Sequence, residues 1–237
     1  MPEWWTYTLS DFLMFSPRTY YRMLERHNAA VWPGQIVALG LGLAVLALLR
    51  RPSARQGRIL SGVVAVLWAW IAWAFLWKRY ATINWPATYF AWGFAIEVLL
   101  VGWIGVARGR LSFRLQRDPA GVFGIALFIV AVAVYPLLAP LFGRTWQQAE
   151  IFGIAPDPTV LATLGLLLLT PGRPHWELLA VPILWCLVSG ATLLAMGSPD
   201  AWVLPLAGVF AAAASAWSAI EQRRSALTGV ARERSSM

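Results

Sequence analysis

Residues 144–159, RTWQQAEIFGIAPDPT, form the longest polar interruption between apolar runs that also concentrates side-chain chemistry. Gln147, Gln148, Glu150, Pro156, Asp157 and Pro158 all fall within it. On either side the chain is either apolar over long runs or briefly basic between them. Only 13% of the 237 residues are charged and 59% are hydrophobic. A soluble domain carries roughly 25% charged and 45–50% apolar residues. This chain has too little polar surface to face water, so its expected solvent is lipid.

Working outward gives seven apolar segments, at 29–49, 59–77, 87–107, 121–142, 158–170, 176–196 and 201–220. A spanning helix needs ~20 residues. The segment that follows the quoted stretch, 158–170, is the short one; at 1.5 Å per residue it covers only about 20 Å of a ~30 Å hydrocarbon core. Asp157-Pro158 reads as a helix start with Asp157 as the cap. The fifth helix is therefore expected to begin below the outer surface, with residues 151–157 dipping inward. Irregular backbone at that depth must be buried in protein or line a wet cavity. The expected cavity is an outward vestibule with Asn84, Trp85, Gln148 and Glu150 at its rim. The free amides of the helix start would favour anionic groups.

Basic residues orient the bundle. Thirteen of the nineteen Lys and Arg lie in 50–58, 108–118, 171–175 and 221–237; six lie in 1–28, 78–86 and 143–157. Positive residues gather on the cytoplasmic side, which predicts the N-terminus outside and the C-terminus inside. Trp32, Trp77, Trp85, Trp146 and Trp202 then fall at outer segment ends as an aromatic belt. Residues 1–28 read as an interfacial lead-in, 29–220 as the transmembrane domain and 221–237 as a basic cytoplasmic tail. In the lead-in, Trp4 and Trp5 suit the headgroup layer and Ser16-Pro17 starts a helix. Tyr20, Met23, Leu24 and His27 recur at helical spacing opposite Arg18, Arg22 and Glu25, predicting an amphipathic helix on the membrane. Glu3, Asp11 and Glu25, with no apolar core among them, argue against a cleavable signal peptide.

Within the bundle, small residues at Gly34, Ala38 and Gly42, and at Gly208, Ala212 and Ala216, predict close helix contacts. Pro136 and Pro182 are expected to kink their helices. Pro33-x4-Ala38-Leu39-Gly40-Leu41 parallels Pro158-x4-Thr163-Leu164-Gly165-Leu166, which suggests a repeat of three helices on either side of a central one.

Glu97 is the only acid deep in an apolar segment, and no Lys or Arg lies inside any segment to pair with it. A charge at a helix centre costs roughly 2.5–3.5 kcal/mol on insertion scales. Glu97 is therefore expected to be neutral, hydrogen-bonded to Cys186, Ser189 or Thr192 at similar depth, or to hold a passing proton or cation. With Asn84, Trp85, Gln148, Glu150 and Asp157 it makes up the expected ligand- or ion-binding set.

Other functions find no support. The formal charge of +8 is divided among short connectors, which speaks for orientation rather than nucleic acid. One cysteine, Cys186, leaves no disulfide framework or cysteine metal site. His27 and His175 are expected on opposite sides, and no lysine lies in the seventh segment. Neither a phosphate-binding glycine loop nor a nucleophile elbow occurs. No catalytic set, metal or cofactor is expected. Arginine outnumbers lysine 18 to 1, which reads as a GC-rich bacterial coding bias.

Four stretches carry a resemblance: WWTYTLSDFLMFSPRTYYR from Trp4, RYATINWPATYF from Arg79, AEIFGIAPDPTVLATLGLLLL from Ala149 and PILWCLVSGATLLAMGSP from Pro182. In these the chain resembles a family of uncharacterised bacterial inner-membrane proteins catalogued as a domain of unknown function, some labelled loosely as permeases. The resemblance implies a multi-pass fold in the bacterial cytoplasmic membrane and no established activity. The expectation is an all-α transmembrane bundle of about seven helices. It would act as a small-solute or ion permease, or alternatively as a non-catalytic accessory or assembly subunit. Its partners would be the lipid bilayer and a small solute or proton.

Overall fold

The computed structural model describes residues 13–235, so Trp4 and Trp5 lie outside the described residues. Eight helices are formed there: α1 (Pro17–Ala30), α2 (Gly34–Leu48), α3 (Ala54–Thr82), α4 (Ala87–Ala107), α5 (Pro119–Leu141), α6 (Pro156–Leu168), α7 (Trp176–Ala195) and α8 (Val203–Ser235). The protein is an all-helical multi-pass membrane protein. α3, α4, α5, α7 and residues Val203–Gln222 of α8 are each long and apolar enough to cross a membrane.

Five of the helices, rather than seven, each reach the length and apolarity of a full crossing alone. All seven apolar segments are helical, but α2 has 15 residues and α6 has 13, reaching about 22 and 20 Å at 1.5 Å per residue. The first segment is shortened by Pro33, which lacks an N–H and restricts the residue before it. The helix restarts at Gly34, and α1 and α2 meet at 84°. If this bent pair counts as one span, six helices qualify by length and composition.

α1 forms as its sequence requires. The Ser16 Oγ accepts from the Thr19 amide at 3.2 Å and Pro17 opens the first turn. Tyr20, Met23, Leu24, His27 and Asn28 are buried, whereas Arg18, Arg22, Glu25 and Arg26 are exposed.

α6 is the centre of the bundle. All 13 of its residues are buried, as expected of a helix apolar on every face. It packs against α3, α5, α7 and α8. Its closest neighbour is α5, because both helices present glycine at the crossing. A Cβ on Gly165 would lie 2.6 Å from the Gly124 carbonyl oxygen, and one on Gly124 2.7 Å from that of Gly165. α2 is a different kind of helix, exposing Ile36, Val37, Leu39 and Leu43, so the two halves of the suggested repeat occupy unlike environments. Pro182 sits inside an unbroken α7. Around Pro136, α5 widens into a π-turn at Val130–Val134 and tightens into a 3₁₀ turn at Tyr135–Leu137.

The connectors collect at two ends. At one, the Asn28 amide donates to the carbonyls of Gln147 and Ala149, both at 2.8 Å, and Tyr21 meets Ser198 at 2.8 Å. At the other, Gln56 donates to the Phe113 carbonyl at 3.1 Å, and the Arg114 amide to the Leu169 carbonyl at 2.9 Å. These are the two groups into which the basic residues divide the connectors. Trp32, Trp77, Trp85, Trp146 and Trp202 are all exposed.

Candidate functional site

The Arg144–Thr159 stretch folds inward. A short 3₁₀ turn, Trp146–Gln148, lies at the surface, and the chain is buried from Phe152 onward. The turn at 151–155 closes through Ile151, whose carbonyl accepts from the amides of Ile154 at 3.0 Å and Ala155 at 2.9 Å. Gly153 has φ +75° there, and a Cβ would meet Leu67 and Ala38 at 3.1 and 3.2 Å. Both the backbone sign and the space call for glycine. The Gly153 amide donates to the Thr159 hydroxyl at 2.8 Å.

The outer approach to this stretch is occupied by α1. Besides the two bonds from Asn28, the His27 Nε2 lies 3.3 Å from the Ile154 carbonyl oxygen. Burial holds the His27 imidazole down to about 4, the Ile154 carbonyl opposing and the Arg79 charge reinforcing the shift.

Asp157 does not cap α6. The helix begins two residues earlier, at Pro156, with Ala155 as the cap residue. Pro156 and Pro158 both fit a first turn, where a missing N–H leaves nothing unpaired. Two of the amides that would have attracted an anion are thereby absent. The Asp157 carboxylate instead faces its neighbours and accepts three hydrogen bonds. They come from Trp185 Nε1 at 2.8 Å, the Ser189 hydroxyl at 2.7 Å and the Tyr135 hydroxyl at 3.2 Å. Asp157 is 1% exposed, so these donors substitute for water.

Glu150 is buried beside it, with the Tyr20 hydroxyl at one oxygen and no partner at Oε2. Burial, reinforced by the charge of Asp157, pushes the Glu150 carboxyl well above the usual carboxylate range. Close by, Arg144 pairs with Asp200 and lies over the Tyr21 ring at 5.0 Å. Ser198 donates to the other oxygen of Asp200.

Glu97 stands apart. It lies ten residues into α4, about 15 Å along the axis from the helix start. Its side chain is fully buried and neither oxygen has a hydrogen-bond partner. The three side chains expected to bond it are otherwise engaged or silent: Ser189 serves Asp157, Thr192 donates to the Val188 carbonyl, and Cys186 is a buried free thiol. An aromatic layer lies between the two acids. The Trp185 ring, bonded to Asp157, sits 5.1 Å from Phe94, which is 4.3 Å from Trp68, and Phe94 precedes Glu97 by one helical turn.

The expected set is thus divided. Glu150 and Asp157 come together; Glu97 lies deeper; Trp85 is exposed at the surface. Gln148 is half-buried and accepts weakly from the Thr145 amide at 3.4 Å. Asn84 lines a separate 220 Å³ pocket with Phe15, Phe90 and Thr192. The donors to Asp157 escaped sequence reasoning, although Trp185 and Ser189 share one face of α7 at a spacing of four. Among the described residues no group of three or more His, Cys, Asp or Glu is placed to hold a metal ion.

The model of a family of unknown function, DUF6064, matches residues 18–226, and the chain belongs to that family. No curated protein and no solved structure matches.

Proposed function

We propose, for a member of a family that offers no activity to inherit, that the protein is a small permease moving protons or small cations, alone or with a solute. The observation that carries this reading is Glu97, fully buried on a spanning helix with both oxygens unpartnered. A carboxyl so placed costs several kcal/mol in lipid, and a purely packing role would be served by leucine. A proton or cation in transit supplies the missing partner. Glu150 and Asp157 form the relay on the side nearer α1, and Trp68, Phe94 and Trp185 close the path between that pair and Glu97. In this closed state α1 covers the relay, with the 84° bend before α2 as its hinge. We further propose that the α1 end faces outward across the bacterial cytoplasmic membrane, from the distribution of basic residues.

A second reading, a non-catalytic accessory subunit, is favoured by the completeness of bonding at Asp157 and the burial of all of α6, which suit a rigid scaffold. Flux separates the two. Purified protein in liposomes loaded with dyes that respond to pH, Na⁺ or K⁺ should collapse the matching imposed gradient faster than empty vesicles. Glu97→Gln should slow it roughly ten-fold or more with an unchanged melting temperature. No flux of any of these ions would remove the uncoupled ion permease and favour the scaffold.

A further inference from the structure

We propose that the end of the molecule carrying α1 holds a phosphate-recognition site that seats the headgroup of an anionic phospholipid. Arg18, Arg22 and Arg26 recur every fourth residue and so form one stripe along α1. Across a pocket of about 240 Å³, Arg79 and Thr82 face them from the end of α3, with Thr19 alongside and Met23 and Ile83 also in the lining. Four arginines therefore line one concavity. Arg144 pairs with Asp200 and His175 with Glu177, and no described carboxylate pairs with any of the four.

Like charges four residues apart on a helix repel, and a fourth brought in from α3 adds to the repulsion. An anion in the pocket reverses the sign of that energy. Planar guanidinium forks match the oxygens of a phosphate in pairs. The Thr82 hydroxyl donates to the Arg79 carbonyl at 2.7 Å, which leaves Thr19, paired with the Ser16 hydroxyl at 2.9 Å, to add a neutral donor. The depth selects the ligand's source. Trp77 and Trp85, both exposed, flank Arg79 and Thr82 along the same connector, and tryptophan collects at the headgroup layer. A free phosphate or phosphorylated solute shares the chemistry, but a headgroup is present at that depth at high local concentration. The site is distinct from the buried acids, and its occupancy does not depend on whether the protein transports anything.

Native mass spectrometry of the full chain in a neutral detergent tests this with three probes: phosphatidylglycerol, phosphatidylcholine and inorganic phosphate as competitor. Phosphatidylglycerol should bind and phosphatidylcholine should not. The double variant Arg22→Gln/Arg79→Gln should weaken phosphatidylglycerol binding by about 100-fold, taking each charge-assisted contact as about ten-fold. Arg51→Gln, at the opposite end, should leave it unchanged. Competition by millimolar phosphate would extend the site to free phosphate; its failure would restrict the site to lipid. The proposal is overturned if the double variant, melting as wild type, keeps phosphatidylglycerol, or if phosphatidylcholine binds equally well. It is also overturned if wild type binds neither phosphatidylglycerol nor phosphate.

Discussion

At the scale of single residues, Asp157 and His27 make opposite demands on the same buried stretch. Asp157 is an acceptor that three donors from α5 and α7 depend on. Asp157→Ala leaves the Trp185 N–H and two hydroxyls without an acceptor in a dry interior. At ~1–3 kcal/mol per unpaired buried donor, the variant should lose about 3 kcal/mol or more in reversible denaturation. Asp157→Asn, which keeps one carbonyl oxygen, should lose less. Equal losses would mean that charge, not hydrogen bonding, matters there. His27 is held neutral, so its folded pKa of about 4 lies below the ordinary value of 6.5. Between those values the unfolded chain takes up a proton that the folded one refuses. Its contribution to stability is therefore present above pH 6.5 and falls as pH drops toward 4. Glu150, with its pKa raised, acts in the reverse sense: its contribution is present at low pH and lost as pH rises through that raised value. His27→Gln isolates the first effect. As pH drops from 6.5 to 4 the variant should lose less stability than wild type, or gain some, because the Glu150 effect is then unopposed; an unchanged slope would contradict the assignment.

At the scale of elements, the bundle is built around a helix too short to cross it. α6 is tolerated at that length because it never meets lipid: every residue of it is buried and α5 touches it backbone to backbone. Gly165→Leu would drive a side chain into the Gly124 carbonyl and the Phe128 amide. Overpacking of this kind costs typically ~1–3 kcal/mol, and a fall in melting temperature should follow, whereas Gly93→Leu, where a Cβ meets nothing, should be neutral. Much of this element was legible in sequence, since length, the paired prolines and the polar lead-in announce a recessed short helix. α1 was legible too, from Ser16-Pro17 and one apolar stripe. The Gly124–Gly165 contact was not, because each helix carries several small residues and nothing local says which pair will meet. Nor were the partners of Asp157, which arrive from positions 22, 28 and 32 residues away in sequence. Depth alone assigned Ser189 to Glu97; the rotation of α7 about its axis, set by packing, gives it to Asp157.

At the scale of the whole molecule, the two groups of connectors read from charge are the two ends of the fold. The proposal that the α1 end faces outward rests on the basic bias. Alkaline phosphatase fused after residue 150 should be active and after residue 115 inactive; the reverse pattern would invert the proposed orientation. Residues 149–159 are not a surface loop but part of the buried body of the bundle, sealed beneath α1. Cysteine accessibility tests it most directly. In a Cys186→Ser background, single cysteines at 152, 154 and 155 should react slowly with a membrane-impermeant thiol reagent, while one at the exposed Gln147 reacts fast. Uniformly fast labelling from 147 to 155 would contradict the account, leaving Glu150 and Asp157 open to water and α1 without its place over them.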